Sequence, residues 1–298
     1  MSKKIIVIGS ANADLVIHSN KMPELGETLI GSDFQVNAGG KGLNQAVAIA
    51  KLGGNVSFLG AMGNDANGHT LMDTLSENGV SFKGITTENV PTGIAMITVV
   101  DGDNCIILDS GANYALTPEI IEQYAGYIAE SDFCVMQLEI PLETVVKACE
   151  IACQNDTKVI LNPAPFRELP DSILSKIAYL IPNEHEVQGL TGICPDTEDN
   201  CKKAIQALQQ KGTPNVIITL GERGCVYNNG EEIVFCPAIK TNAVDTTSAG
   251  DCFIGAFVTK LSQSETLANS ISYATKASAI TVSREGASKS IPYADEIK

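Results

Sequence analysis

The chain predicts an α/β fold: a mainly parallel central sheet with helices on both faces, and a small β-sheet set apart from it. Two observations carry this reading. Short apolar runs alternate with helical patterns along most of the 298 residues, and two stretches break that rhythm with period-two alternation. The run 4–9 reads as a buried first strand, since Ile5-Ile6-Val7-Ile8 is apolar on both faces. Further buried strands are expected at 56–61, 132–137, 157–161, 178–181 and 215–219. Helices are expected near 42–53, 66–78, 117–129, 142–154, 197–211, 250–262 and 265–282. Strands joined by helical crossovers pair in parallel, and such sheets bind ligands beyond the carboxyl ends of their strands. The exceptions, 14–36 and 92–109, alternate like half-exposed strands, and Asp101-Gly102-Asp103-Asn104 gives a turn signal inside the second. We read them as a small antiparallel sheet projecting from the main body. No repeat, low-complexity tract or long linker divides residues 1–298, so one domain is expected.

Composition narrows the function classes. A content of 44% hydrophobic and 18% charged residues is that of a soluble globular protein with a large core. No apolar run reaches membrane-span length, and the opening run is too short for a secretory signal. The net charge of −15 argues against nucleic acid or an anionic membrane as partner. Local N–H groups and Lys or Arg can still bind phosphates against that global sign. Nine cysteines without a CxxC pair, and only three histidines, offer no zinc spacing, so free thiols in a cytoplasmic protein are expected.

The chemistry is concentrated in Asp245-Thr246-Thr247-Ser248-Ala249-Gly250-Asp251, which runs into the apolar helix pattern Cys252 to Val258. A small-residue turn opening a helix presents unpaired N–H groups at the positive end of the dipole, an anion site. A carboxylate there makes sense if Asp251 takes a proton from a hydroxyl while those N–H groups hold the phosphoryl group under attack. The plainer alternative is an ordinary acidic helix start. A second glycine-rich turn, Asn37-Ala38-Gly39-Gly40-Lys41-Gly42, also opens a helix and carries Asn44 in its first turn. It is not a P-loop, and no GxGxxG occurs.

Together these segments resemble the two signatures of the ribokinase-like (PfkB) carbohydrate kinase family, around Gly39 to Ala46 and Asp245 to Asp251. The likeness covers essentially the whole chain. Ile8-Gly9-Ser10-Ala11-Asn12-Ala13-Asp14 resembles the family's sugar-binding opening, and Met136 to Pro141 its mid-chain sugar contact. Asn183-Glu184-His185-Glu186 fits its Asn-x-x-Glu motif, and Thr219 to Gly224 its nucleotide loop. Ser248 departs from the Gly or Ala usual there, although its N–H remains.

The resemblance implies a ribokinase-like fold whose small sheet is a lid that covers the sugar and pairs with another subunit's lid in a homodimer. It implies ATP-dependent phosphorylation of a sugar, nearest to members acting on the 5-hydroxyl of D-ribose. Kinases for deoxyribose, fructose or a nucleoside are the alternatives, and a non-catalytic sugar sensor is the rival class. Asp251 would be the general base, and the N–H groups of Ser248, Ala249 and Gly250 the anion hole. Asn12, Asp14, Gly39, Gly40, Lys41, Asn44 and Glu139 would join Asp251 around the sugar. Taken singly, Asn12 and Asp14 also suit a turn, Lys41 a solvated charge, and Glu139 a strand-end cap. Asn183, Thr219, Gly221, Gly224, Gly250 and Thr275 would hold ATP, with Asn183 equally suited to capping a helix after Pro182. Glu186 would reach Mg²⁺ through water. A K⁺ activator is expected at Asp245, Thr247, Arg284, Gly286 and Ser290, partly through backbone carbonyls; the alternatives are a cation-free loop or Arg284 turned inward in the ion's place.

Overall fold

The computed structural model describes residues 3–100 and 103–298, so Asp101 and Gly102 of the expected turn lie outside it. Its strands are β1 (Lys4–Ile8), β2 (Asn12–His18), β3 (Ser32–Gly39), β4 (Asn55–Gly63), β5 (Ser81–Thr87), β6 (Gly93–Val100), β7 (Asp103–Asp109), β8 (Phe133–Met136), β9 (Lys158–Leu161), β10 (Ile177–Leu180), β11 (Asn215–Thr219), β12 (Cys225–Asn228) and β13 (Ile233–Cys236). The α-helices are α1 (Lys41–Lys51), α2 (Ala66–Glu77), α3 (Pro118–Gln123), α4 (Ala125–Ala129), α5 (Leu142–Gln154), α6 (Asp171–Leu174), α7 (Glu184–Thr191), α8 (Glu198–Gln210), α9 (Ala249–Ser262), α10 (Leu267–Thr281) and α11 (Ala287–Ser290).

The large sheet has the order β13-β12-β11-β10-β9-β8-β1-β4-β5. It is parallel from β5 to β11, and β12 runs antiparallel to both β11 and β13. β1 sits inside because its apolar residues serve both faces. Ile5 and Val7 pack toward Leu43, Phe253, Phe257 and Ile271 on α1, α9 and α10. Ile6 and Ile8 pack toward Val145, Ile205 and Leu208 on α5 and α8. Each such side chain, fully withdrawn from water, contributes about 1.5–3 kcal/mol.

The second sheet has the order β3-β2-β6-β7. It is mixed rather than antiparallel: β2 pairs with β6 in parallel, while β3 and β7 flank them antiparallel. The reason is connectivity, since α1, β4, α2 and β5 intervene between β2 and β6 and no hairpin can join them. The expected helix 117–129 is also split. It breaks at Tyr124, whose hydroxyl donates to the Gly84 carbonyl at 2.6 Å, and continues as α4. Among the described residues no helix is long and apolar enough to cross a membrane.

Candidate active site

A cavity of about 480 Å³ opens beyond the carboxyl ends of β1, β8, β9, β10 and β11, roofed by the second sheet. Asn12 and Asp14 point into it from β2, two residues apart and therefore on one face. The same alternation sends Ala95 and Ile97 of β6, and Ile106 and Leu108 of β7, inward beside them. Lys41 and Asn44 enter from α1, Glu139 from beyond β8, Asn183 and Glu186 from α7, Thr219 from β11, and Thr247, Ser248, Gly250 and Asp251 from the start of α9. Segments as far apart in sequence as Asn12 and Ile254 thus converge on one cleft.

Asp251 is buried in the first turn of α9. Asn44 Nδ2 donates to its Oδ2 at 3.2 Å, and Gln45 Nε2 donates to its Oδ1 at 2.9 Å. Gln45 is fixed in turn by Gln137 Nε2, which donates to Gln45 Oε1 at 2.6 Å. Asn44 and Gln45 both belong to α1 and, with Gln137 behind them from beyond β8, hold one carboxylate in one orientation. Gly255 lets this happen, because a Cβ there would meet the Ala48 Cβ at 2.4 Å and keep α9 away from α1. The Asn44 Oδ1 is buried without a partner, an acceptor left for a ligand hydroxyl. Sequence reading had found Asn44 but not Gln45 or Gln137. Nor had it found Asn113, whose Nδ2 donates to Asn12 Oδ1 at 2.7 Å and sets that side chain.

The glycine-rich turn before α1 works differently from the expectation. A Cβ at Gly40, which has φ of 88°, would meet the Asn12 N at 2.8 Å, and one at Gly42 would meet the Ser10 N at 2.7 Å. A Cβ at Gly39 would overlap the Asp14 carboxylate, at 2.0 Å from Oδ2. These glycines bring the turn against the protein's own opening segment. Glu139 accepts from the Lys41 N–H at 3.1 Å and from the Ser10 hydroxyl, so a carboxylate of the chain already occupies this helix start.

At the other helix start Ser248 has φ of 61° and its buried hydroxyl finds no partner. The left-handed backbone there explains why a glycine suits the position. The Ala249 N–H donates to the Thr246 carbonyl at 3.3 Å. The N–H groups of Ser248 and Gly250 have no such backbone acceptor among the described residues, which makes them the more available pair. Ser248→Gly should therefore raise stability by about 1 kcal/mol and leave turnover within about tenfold, because the donors persist. Thermal melting and ADP release check this; a complete loss of activity would give the hydroxyl a direct role.

Asn183 and Glu186 close a capping box at α7. Asn183 Oδ1 accepts from the Glu186 N–H at 2.9 Å, while Glu186 accepts from the Asn183 N–H at 2.8 Å and from its Nδ2 at 2.9 Å. Asn183 is the cap and a cavity residue at once. Gly221 and Gly224 lie outside the cavity lining, next to Thr219, and Gly224 is pinned beneath Cys236, whose carbonyl oxygen would be 2.1 Å from an added Cβ. Thr275 is buried in α10, also outside the lining, with its hydroxyl donating to the Ile271 carbonyl at 3.0 Å. Asp245 accepts from the Thr247 N–H at 2.8 Å and from the Gly286 N–H at 3.1 Å, joining the anion turn to the 283–290 loop. Arg284 does not turn inward; it pairs with Glu296 at 2.6 Å on the exposed side. The Ser290 hydroxyl donates to the Ala287 carbonyl at 2.8 Å within α11.

A family model described as pfkB family carbohydrate kinase matches residues 2–294. The chain belongs to that family. A ribokinase of Lactococcus lactis is 39% identical over 296 residues, covering 99% of this chain and 96% of its own length. A deoxyribokinase of Salmonella typhi is 39% identical over 293 residues, covering 97% of this chain and 95% of its own. The solved structure of an Arabidopsis thaliana ribokinase complexed with ribose and ATP aligns with a TM-score of 0.94 at 30% identity, over 100% of this chain and 98% of that one.

This pfkB carbohydrate kinase gathers four carboxylates, Asp14, Glu139, Glu186 and Asp251, and one ammonium in its cleft. Burial raises the Asp251 pKa, and Glu139 adds to that, against the opposing pull of Lys41, Gln45 and Asn44. Burial also pushes the Asp14 carboxyl up to about 7, reinforced by Glu139 and Asp251. Burial works against the Lys41 ammonium, but Asp251, Glu139 and Glu186 outweigh it and raise its pKa. Lys41 is thus the cleft's counter-charge rather than a solvated one. Among the described residues no three His, Cys, Asp or Glu side chains gather as a metal cage. Glu186 reaches the same cleft with both oxygens accepting from Asn183, and burial raises its pKa.

Proposed function

We propose that this chain is an ATP-dependent ribokinase that phosphorylates the 5-hydroxyl of D-ribose. The observation that carries the reading is Asp251, held by Asn44 and Gln45 between a polar sugar-sized cleft and the amides of the α9 start. Its raised pKa brings it closer to the operating pH, where a general base works best. The sugar hydroxyl would lose its proton to Asp251 as its oxygen attacks the γ-phosphorus of ATP and ADP departs. The amides of Ser248 and Gly250 would hold the charge on the moving phosphoryl group, which is mostly a matter of placement and electrostatics. Glu186 would hold, through water, a magnesium ion bound to the phosphates, which would supply neutralisation of their charge.

Asn12, Asp14, Lys41, Asn44 and Glu139 supply donors and acceptors for a polyol, while Ile97, Ile106 and Leu108 of the second sheet would cover its apolar edge. Among the described residues no aromatic side chain lines the cleft, which disfavours a nucleoside as acceptor. Ribose and deoxyribose differ by one hydroxyl, and relatives of both names are equally identical to this chain. ADP release over ribose, 2-deoxyribose, fructose and adenosine decides among them. Ribose should give the highest kcat/KM; binding of sugar without turnover would instead favour a sensor.

A K⁺ ion beside Asp245 is part of the same proposal. Asp245 ties the anion turn to the Gly286 loop, so an ion bound there by backbone carbonyls would fix the turn without touching substrate. Activity should be higher in K⁺ than in Na⁺ at equal ionic strength, and Asp245→Ala should erase that preference with sugar affinity nearly intact. Equal rates in K⁺, Na⁺ and a large organic cation would rule the site out. The second sheet would act as lid and as dimer contact. Its outward Phe34, Met96 and Ile107 are exposed, the alternate positions to the inward set. Light scattering should give a dimer, and a monomer at micromolar concentration would refute that contact.

A further inference from the structure

Cys225 and Cys236 face each other directly across the antiparallel β12–β13 hairpin. Directly opposed residues in such a pair have Cα atoms about 4.5–5.5 Å apart, inside the range a disulfide spans. The two differ in access: Cys225 is buried at 2% exposure, whereas Cys236 is half-buried on β13, the edge strand of the large sheet. The neighbouring Cys225 thiol holds the Cys236 pKa down, at about 6, while Cys236 and burial push that of Cys225 up. An accessible thiolate backed by a buried second thiol is the arrangement of an attacking and a resolving cysteine. No third ligand side chain joins them to make a metal site among the described residues. The remaining thiols differ. Cys105, Cys153 and Cys194 are exposed, and Cys134 and Cys149 are buried with pKa values raised by burial.

The pair sits at the edge of the nucleotide end. Cys225 pairs with Thr219 of the cleft on its other side and directly follows Gly224. The Gly224 backbone is wedged beneath Cys236, Pro237 and Ala238. Cys236 Sγ lies 3.8 Å from Thr275 Oγ1. A bond between the two sulfurs would draw Cys236 away from Thr275 and lock both strands around the Gly224 pinch.

We infer that Cys225 and Cys236 form a redox-responsive pair which hydroperoxides close to a disulfide, weakening nucleotide binding at the adjoining loop. The effect on nucleotide rests on the kinase reading above; formation of the bridge does not. The Cys236 thiolate attacks one peroxide oxygen, the O–O bond breaks, a first water leaves and Cys236 becomes a sulfenic acid. The Cys225 sulfur then attacks Cys236, the S–S bond forms and the S–O bond breaks, with the oxygen leaving as a second water. The two sulfurs together give two electrons to one hydrogen peroxide, and both thiol protons end in water.

The test uses the full chain titrated with hydrogen peroxide, followed by peptide mapping and by ADP titration calorimetry. The expected result is a Cys225–Cys236 crosslink with loss of two hydrogens, an ADP Kd raised about tenfold, and restoration by dithiothreitol. Cys236→Ser should keep the reduced protein's affinity and resist peroxide, and Cys105→Ser should remain sensitive. If Cys225→Ser misfolds, the half-buried Cys236→Ser alone carries the comparison. Crosslinks elsewhere, or an unchanged ADP Kd in the bridged protein, would overturn the inference. Absence of ADP binding in the reduced protein would instead count against the kinase reading, with the crosslink map still judging the pair.

Discussion

Asp251→Asn lowers kcat by roughly 10²–10⁴, the usual worth of a general base, while ATP affinity stays close to wild type. The substitution keeps the size of the side chain and can keep one of the two hydrogen bonds, from Asn44 or Gln45, through the remaining carbonyl oxygen. What is lost is the capacity to take a proton. Rapid-quench measurement of the chemical step separates this from slower product release. A variant that keeps more than about a tenth of wild-type turnover, with chemistry rate-limiting, would remove Asp251 from the role of base.

Asp14→Asn has two opposed effects, both large. The Asp14 carboxyl rises from 3.8 to about 7 because burial, Glu139 and Asp251 all disfavour its charge. The folded state therefore holds a proton that the unfolded chain has released. Stability falls as pH rises between those two values, and the full cost of ionising Asp14 is present above the upper one. Removing the charge should stabilise the protein above pH 7 by up to about 4 kcal/mol, and the gain should vanish below about pH 4. At the same time the sugar loses a carboxylate acceptor, at about 1–3 kcal/mol, so its KM rises about tenfold to a hundredfold with little change in that for ATP. Melting curves across pH and a KM measurement for each substrate check both halves. A melting shift that does not depend on pH, or a defect mainly on the ATP side, would contradict this account of Asp14.

The same residues show how far the chain could be read unaided. Runs buried on both faces, such as Ile5 to Ile8, announced the parallel sheet because they alternate with helical patterns along the chain. The edge strands β5 and β13, and β12 beside the latter, did not announce themselves: their mixed polarity is that of any surface loop until a neighbouring strand pairs with them. Asn12, Asp14, Asn44, Asn183, Glu186 and Asp251 were legible through motif spacing, and the structure brings them to one cavity. Gln45, Gln137 and Asn113 were not, since a buried carboxamide in an apolar segment carries no local mark of what it holds. The glycines before α1 were seen, yet their purpose was not. Only the fold reveals that Gly40 and Gly42 rest on the backbone at Ser10 to Asn12. Arg284 depended on a partner, Glu296, that sequence distance conceals.

In the proposed function the cleft turns the 5-hydroxyl of ribose toward Asp251 and the α9 turn. Phosphorus and carbon NMR of the product formed from ATP, magnesium and ¹³C-labelled D-ribose tests it most directly. The expected product is a phosphate monoester coupled to carbon 5, formed in equal amount to ADP. Phosphate on carbon 1, or ADP released with inorganic phosphate alone, would contradict it.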